Sequence, residues 1–325
     1  MKRIILLFSC LALLFLLSSC ALASNPLARA EATPVPGLPM ELHPATASDK
    51  DADKLEITLF YRYEQSDMLS SETRVVSVPR DESPEIIAVR QLLAGPQASH
   101  TELKRLFPHN ATVLNVHSSE DTLFITFSED ILNDGIPQNW KDDPVWRTEA
   151  PLRRKLTMQS LVATITENFS YPYVQVMLSH NQTQDISTRL DNSYFLDGRT
   201  GLAERLMRNE SMLLTMQNTA LTILKAWQLR DYELLYQFTA PMHDQKPSFS
   251  AFVEALENCA ALTAYSASAG HSTAGSTRGT VTLDIAYRTG GQEYHCPAYP
   301  LWLVREDDLW KIPYEELQRL MLRDH

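Results

Sequence analysis

Two hydrophobic periods alternate between residues 55 and 178, and that alternation restricts the chain to a mixed fold of strands and helices. Residues 55–63 place Leu55, Ile57, Leu59 and Tyr61 at every second position, the spacing of a half-buried strand. A second strand is expected at 74–78. A helix follows: Ser83 can cap it, Pro84 suits its first turn, Ile86, Val89 and Leu93 share a face, and Gly95-Pro96 ends it. Residues 112–117 and 122–127 form a hairpin around 118–121, with Leu123, Ile125 and Phe127 as its inward row. A second helix carries Met158, Leu161, Val162, Ile165 and Phe169 and leads into a strand at 173–178. The order β-β-α-β-β-α-β predicts an α+β sandwich, with helices on one side of a mostly antiparallel sheet.

The runs Leu92-Leu93-Ala94-Gly95-Pro96, Leu106-Phe107-Pro108 and Thr112-Val113-Leu114, with the hairpin end Ile125-Thr126-Phe127-Ser128-Glu129, resemble the sporulation and germination (GerMN) domain. Residues 161–167 and 174–176 are similar to that family's closing helix and strand. The resemblance implies a role in sporulation, germination or the cell envelope, through protein contacts or wall association. Its motifs are apolar and turn residues, so it implies no particular chemistry. Two departures stand out. Residues 134–155, with Trp140 and Trp146, are longer than the family's usual connection, and Ser179-His180-Asn181 replaces its usual glycine.

The N-terminus gives an address. Lys2-Arg3 precede an apolar run from 4 to 17, too short for a comfortable membrane span, and Leu17-Ser18-Ser19-Cys20 ends it. That ending resembles the bacterial lipobox, which implies cleavage after residue 19 and lipid on Cys20. The alternative is an ordinary secretory signal cut after Ala23. Acyl chains gain about 0.8 kcal/mol per buried methylene, so a lipidated Cys20 anchors the protein without spanning the membrane. Residues 20–53 carry Pro26, Pro34, Pro36, Pro39 and Pro44 without an apolar period and read as a tether. The formal charge of −11 argues against nucleic acid and against electrostatic attraction to anionic membranes.

The length of 325 residues suits two domains after the signal and tether: 54–182, and 205–325 after a connector at 183–204. The second opens with Leu213, Met216, Ala220, Ile223, Leu224 and Trp227 at helical spacing. Asp231 can cap a second helix bearing Tyr232, Leu235 and Tyr236, and a short helix covers 249–256. Strands follow at 263–269, at 280–288 (Val281, Leu283, Ile285 and Tyr287 inward) and, past Gly290-Gly291, at 292–304 and 309–312, before a helix from Tyr314. Residues 227–232 and 234–236, with Leu309-Trp310-Lys311-Ile312, resemble the nuclear-transport-factor-two-like superfamily, which implies a cone with a curved antiparallel sheet. Cys259 and Cys296, the pair left after Cys10 and Cys20, suggest a disulfide in an exported domain, with two buried thiols as the alternative.

No nucleotide loop, zinc motif or hydrolase elbow occurs, and no cofactor or metal site is expected. One catalytic reading remains: a cone pocket in which Asp231, Tyr232, Tyr236, His243, Asp284 and His295 supply a proton-transfer pair. The preferred reading is a non-catalytic lipoprotein on the outer face of the cytoplasmic membrane, contacting envelope or sporulation proteins or the wall. Its partner surface is expected on 134–155, where Trp140 and Trp146 stand with Arg147 and Arg153, since aromatic and Arg side chains favour interface centres. The competing reading folds both tryptophans back onto the sheet as a cover.

Overall fold

A computed structural model describes residues 53–179, 187–241, 246–273, 276–306 and 309–322. The signal, Cys20, the tether up to residue 52 and His243 lie outside the described residues. The described residues form one compact unit, whose sheets divide it into two lobes.

In the first lobe, β1 (Asp53–Tyr63) and β2 (Leu69–Val78) pair antiparallel from Asp53↔Val78 to Arg62↔Leu69, and β3 (Leu103–Lys104) adds to the end of β1. Between β2 and β3 comes α1 (Pro84–Ala94), which Ser83 caps by accepting the Ile86 N–H. Gly95 ends it at φ 92°, a left-handed value that favours glycine. The Gly95-Pro96 turn is fastened to the sheet: the Tyr61 hydroxyl and Arg74 Nη2 both donate to the Gly95 carbonyl, at 3.0 and 2.6 Å. A second sheet runs β4 (Val113–Ser119), β5 (Thr122–Ser128), β6 (Tyr173–Ser179), β7 (Ser187–Arg189), and β8 (Leu206–Met207) also pairs with β6. The strands therefore divide into two sheets where one was expected. Leu123, Ile125 and Phe127 are buried as the inward row.

Strands β5 and β6 are parallel, and α2 (Pro144–Asn168) makes the crossover between them. This helix also closes an open sheet edge. Ser160 donates to the Phe60 carbonyl (2.5 Å), Thr164 accepts the Phe60 N–H (3.2 Å), and Asn168 both accepts from Thr58 N (2.8 Å) and donates to Thr58 O (2.7 Å). Residues four apart share a helix face, so this polar row serves the backbone of β1 where no strand lies beside it.

The second lobe begins with α3 (Met216–Leu229) and α4 (Tyr232–Gln237), then β9 (Thr239–Ala240) and α5 (Phe249–Leu256). Its curled sheet has the order β10 (Ala261–Ala267), β11 (Arg278–Thr289), β12 (Gln292–Glu306), β13 (Leu309–Pro313), β9, antiparallel except for the last pair, and α6 (Tyr314–Met321) ends the described chain. Gly290 and Gly291 turn the β11–β12 hairpin at φ 55° and 81°. Val281, Leu283, Ile285 and Tyr287 point into a core with Trp227, Phe238 and Phe252.

Cys259 and Cys296 are not joined by a disulfide. Cys259 precedes β10, whereas Cys296 lies on β12 opposite Ile285, with β11 between them. Two strand spacings amount to about 9.6 Å, beyond the roughly 7 Å that a disulfide's Cα atoms tolerate.

The lobes share their packing. Leu214 N donates to Leu69 O at 2.8 Å, the Tyr63 and Phe238 rings lie 5.5 Å apart, and one hydrophobic cluster runs through both.

Candidate functional site

A groove of about 900 Å³ lies in the first lobe between α2 and the segment 192–206. Its apolar wall includes Pro151, Leu152, Phe195 and Leu202, and its charged wall includes Lys155 and Arg205. Leu202 is exposed although large and apolar.

Residues 134–155, longer than the family's usual connection, are helix from Pro144 onward. Asp143 caps it by accepting from Val145 N (2.8 Å) and Trp146 N (3.3 Å), with Pro144 in the first turn. Pro151 sits inside the helix, lacks an N–H, and lines the groove. Two buried polar clamps fix this half of α2. Arg62 meets Glu149 through both terminal nitrogens, and Arg154 Nε meets Asp134 Oδ2 at 2.7 Å while its Nη1 donates to the Tyr194 carbonyl at 2.8 Å. The Arg154 guanidinium also lies 4.9 Å from the Tyr194 ring centre. Burial, reinforced by the Asp134 carboxylate, pushes the Tyr194 phenol well above its ordinary pKa.

The opposite wall comes from the segment read as a connector, 183–204. Where described, it is built onto the lobe: Leu190 N donates to Val176 O, Ala203 N to Leu190 O, and Tyr194 and Phe195 are buried. Leu196, Gly198 and Gly201 turn it through positive φ. Arg205 stacks on Tyr173 at 3.8 Å and meets Asp121 at 2.9 Å. The aromatic pair Tyr194-Phe195, inside a stretch without periodicity, was the available signal for this packing.

The four partner-surface candidates divide between faces. Pro151 and Lys155 line the groove and Arg147 stands one turn earlier on the same row, whereas Trp146, nine residues before Lys155, falls on the opposite side of the helix from it. Arg153 follows Trp146 by seven and lies with it. Trp140 precedes the helix, with the Lys141 ammonium 5.4 Å from its ring. Both tryptophans are half-buried, and among the described residues neither joins a hydrophobic cluster. Arg147 Nε donates to the Lys141 carbonyl at 3.0 Å and braces the approach to the helix.

The described proton-transfer candidates lie at α4 and on the paired strands β11 and β12. Asp231 caps α4 by accepting from Leu234 N (3.1 Å), Tyr236 donates to Pro247 O (2.8 Å), and Asp284 accepts from Ala298 N (2.8 Å) at a bulge. His295 pairs across the sheet with Ala286, and Tyr232 packs against the core. Among the described residues no cluster of His, Cys, Asp and Glu has the makings of a metal site.

Residues 58–181 match the Germane family model, described as sporulation and spore germination. No curated protein matches the chain. Similar solved structures include the tandem GerMN domains of the sporulation protein GerM from Bacillus subtilis, 15% identical over 51% of this chain and 48% of that one, with a TM-score of 0.32. The chain thus spans about half the length of that structure. The first GerMN domain of the same protein is 16% identical over 47% and 98%, at a TM-score of 0.30. A candidate lipoprotein from Clostridium perfringens is 16% identical over 50% and 91%, at 0.26. Much of the first lobe is thus a domain of the sporulation and germination type.

Proposed function

We propose that the chain is a lipid-anchored, extracytoplasmic scaffold that binds a protein partner during sporulation, germination or envelope assembly. The match of residues 58–181 to a sporulation and germination family carries this reading. The anchor is the lipid on Cys20, and the tether holds the lobes away from the bilayer. Among the described residues no helix is long and apolar enough to cross a membrane. The partner surface wraps the first half of α2: Arg147 stands on the groove side, Trp146 and Arg153 on the face turned away from it, and Trp140 just before the helix. Among the described candidates Asp231 caps a helix, Tyr236 donates to the Pro247 carbonyl and Asp284 braces a bulge, which favours binding over turnover.

Envelope fractionation with cross-linking tests both parts. Wild type should partition into detergent, and Cys20→Ala should be released or keep its signal. Trp140→Ala combined with Trp146→Ala should leave the melting temperature nearly unchanged and abolish the cross-links. Detergent partitioning of a correctly processed Cys20→Ala protein would end the anchor. A loss of several kcal/mol from the double change would make the tryptophans a cover.

A further inference from the structure

The chain is acidic overall, yet one pocket of the first lobe has only cationic, polar and apolar groups in its wall. It lies between the end of α1 and residues 105–113, measures about 490 Å³, and is lined by Arg90, Arg105, His109 and Thr112 beside Leu93 and Val113. Among the described residues no carboxylate lines it.

Arg105 is oriented by acceptors without formal charge. Its Nε donates to Phe107 O at 3.0 Å, its Nη2 to Pro108 O at 3.3 Å, and its Nη1 to Ala94 O at 3.4 Å and His109 Nδ1 at 2.9 Å. These bonds fix the guanidinium, and among the described residues none of its hydrogen-bond acceptors is a carboxylate. A guanidinium can donate only to an unprotonated ring nitrogen, so in this arrangement the His109 proton sits on Nε2, which becomes a further donor. Arg90 is exposed and meets both oxygens of Glu82 through Nη1, at 2.5 and 2.6 Å, leaving the rest of its fork open. Part of Arg105's role is structural: α1 has no basic residue in its last turn, and Arg105 supplies the cation that its terminal carbonyls favour. That role does not account for Arg90 and His109 lining the same hollow.

We propose that this pocket binds a phosphate group, with Arg90 and Arg105 as charged donors and His109 and Thr112 completing the set. Donors from four residues suit an anion whose oxygens lie in more than one plane; a carboxylate offers two oxygens in one. A soluble phosphate and an anionic lipid headgroup present the same chemistry.

The test titrates inorganic phosphate into the detergent-solubilised full chain and follows the Nε–Hε NMR signals of Arg90 and Arg105. Saturable shifts are expected, weakening as salt rises. Arg90→Gln, an exposed change whose unaltered melting temperature confirms folding, should weaken binding about tenfold. Glu82→Gln should tighten binding, because it removes the competing carboxylate. Repeating the titration with phosphatidylglycerol and then phosphatidylcholine vesicles separates the sources: selective competition by phosphatidylglycerol assigns a headgroup, and its absence assigns soluble phosphate. Shifts that do not saturate, or that are equal in wild type and Arg90→Gln, would overturn the site.

Discussion

Asp134 and Arg154 show how much of the groove depends on single side chains. The pair is largely buried, and its bond to the Tyr194 carbonyl ties α2 to the opposite wall. Removing one partner of a buried pair leaves an uncompensated charge, at a cost of about 3 kcal/mol or more. Arg154→Met should therefore lower the free energy of unfolding by that amount, read as a lower urea midpoint at unchanged m-value, whereas Arg147→Ala, at an exposed position, should stay within about 0.5 kcal/mol. Equal small losses would mean that the pair does not hold the groove. Local chemistry was legible at this scale: Asp231 as a cap, Ser83 as a cap and Gly95 as a stop all follow from neighbours in sequence. Partners distant in the chain, such as Asp134 and Arg154, carry no such mark.

Among elements, α2 does most to organise the first lobe. Its apolar residues Met158, Leu161, Val162 and Ile165 were legible from their spacing and are buried. The row Ser160, Thr164, Asn168 carries equal structural weight, since it supplies the bonding partners of Phe60 and Thr58. Asn168→Ala leaves the Thr58 N–H and carbonyl without these partners and should cost about 2 kcal/mol, read as a lower denaturant midpoint. An unchanged midpoint would show that water replaces the side chain at no cost. The start of α2 was missed because Pro151 interrupts its pattern, although Asp143-Pro144 is an ordinary helix opening. Strand β2 begins at Leu69, not 74, because its buried Glu72 breaks the apolar alternation; its carboxylate pairs with Arg74 and accepts from Gln97 N at 2.9 Å.

At the scale of the whole molecule, the mixed α+β class and the succession of helices and long hairpins in the second lobe follow from hydrophobic period alone. The path of residues 187–214 does not. Its contacts reach back to β6, α2 and Leu69, and contacts across such distances leave no local period to read. One groove wall therefore lay in a stretch that looked like a connector, and only the α2 wall fell within the segment expected to bind.

The proposed scaffold receives its partner on this side of the first lobe, at the membrane's outer face. The most direct measurement is photo-cross-linking in sporulating cells, with the photoreactive residue placed at Lys155, at Leu202 or, as an exposed control on β2, at Val75. One discrete adduct shared by positions 155 and 202, and none from position 75, is expected. Adducts from Val75 alone, or equally from all three positions, would contradict that placement.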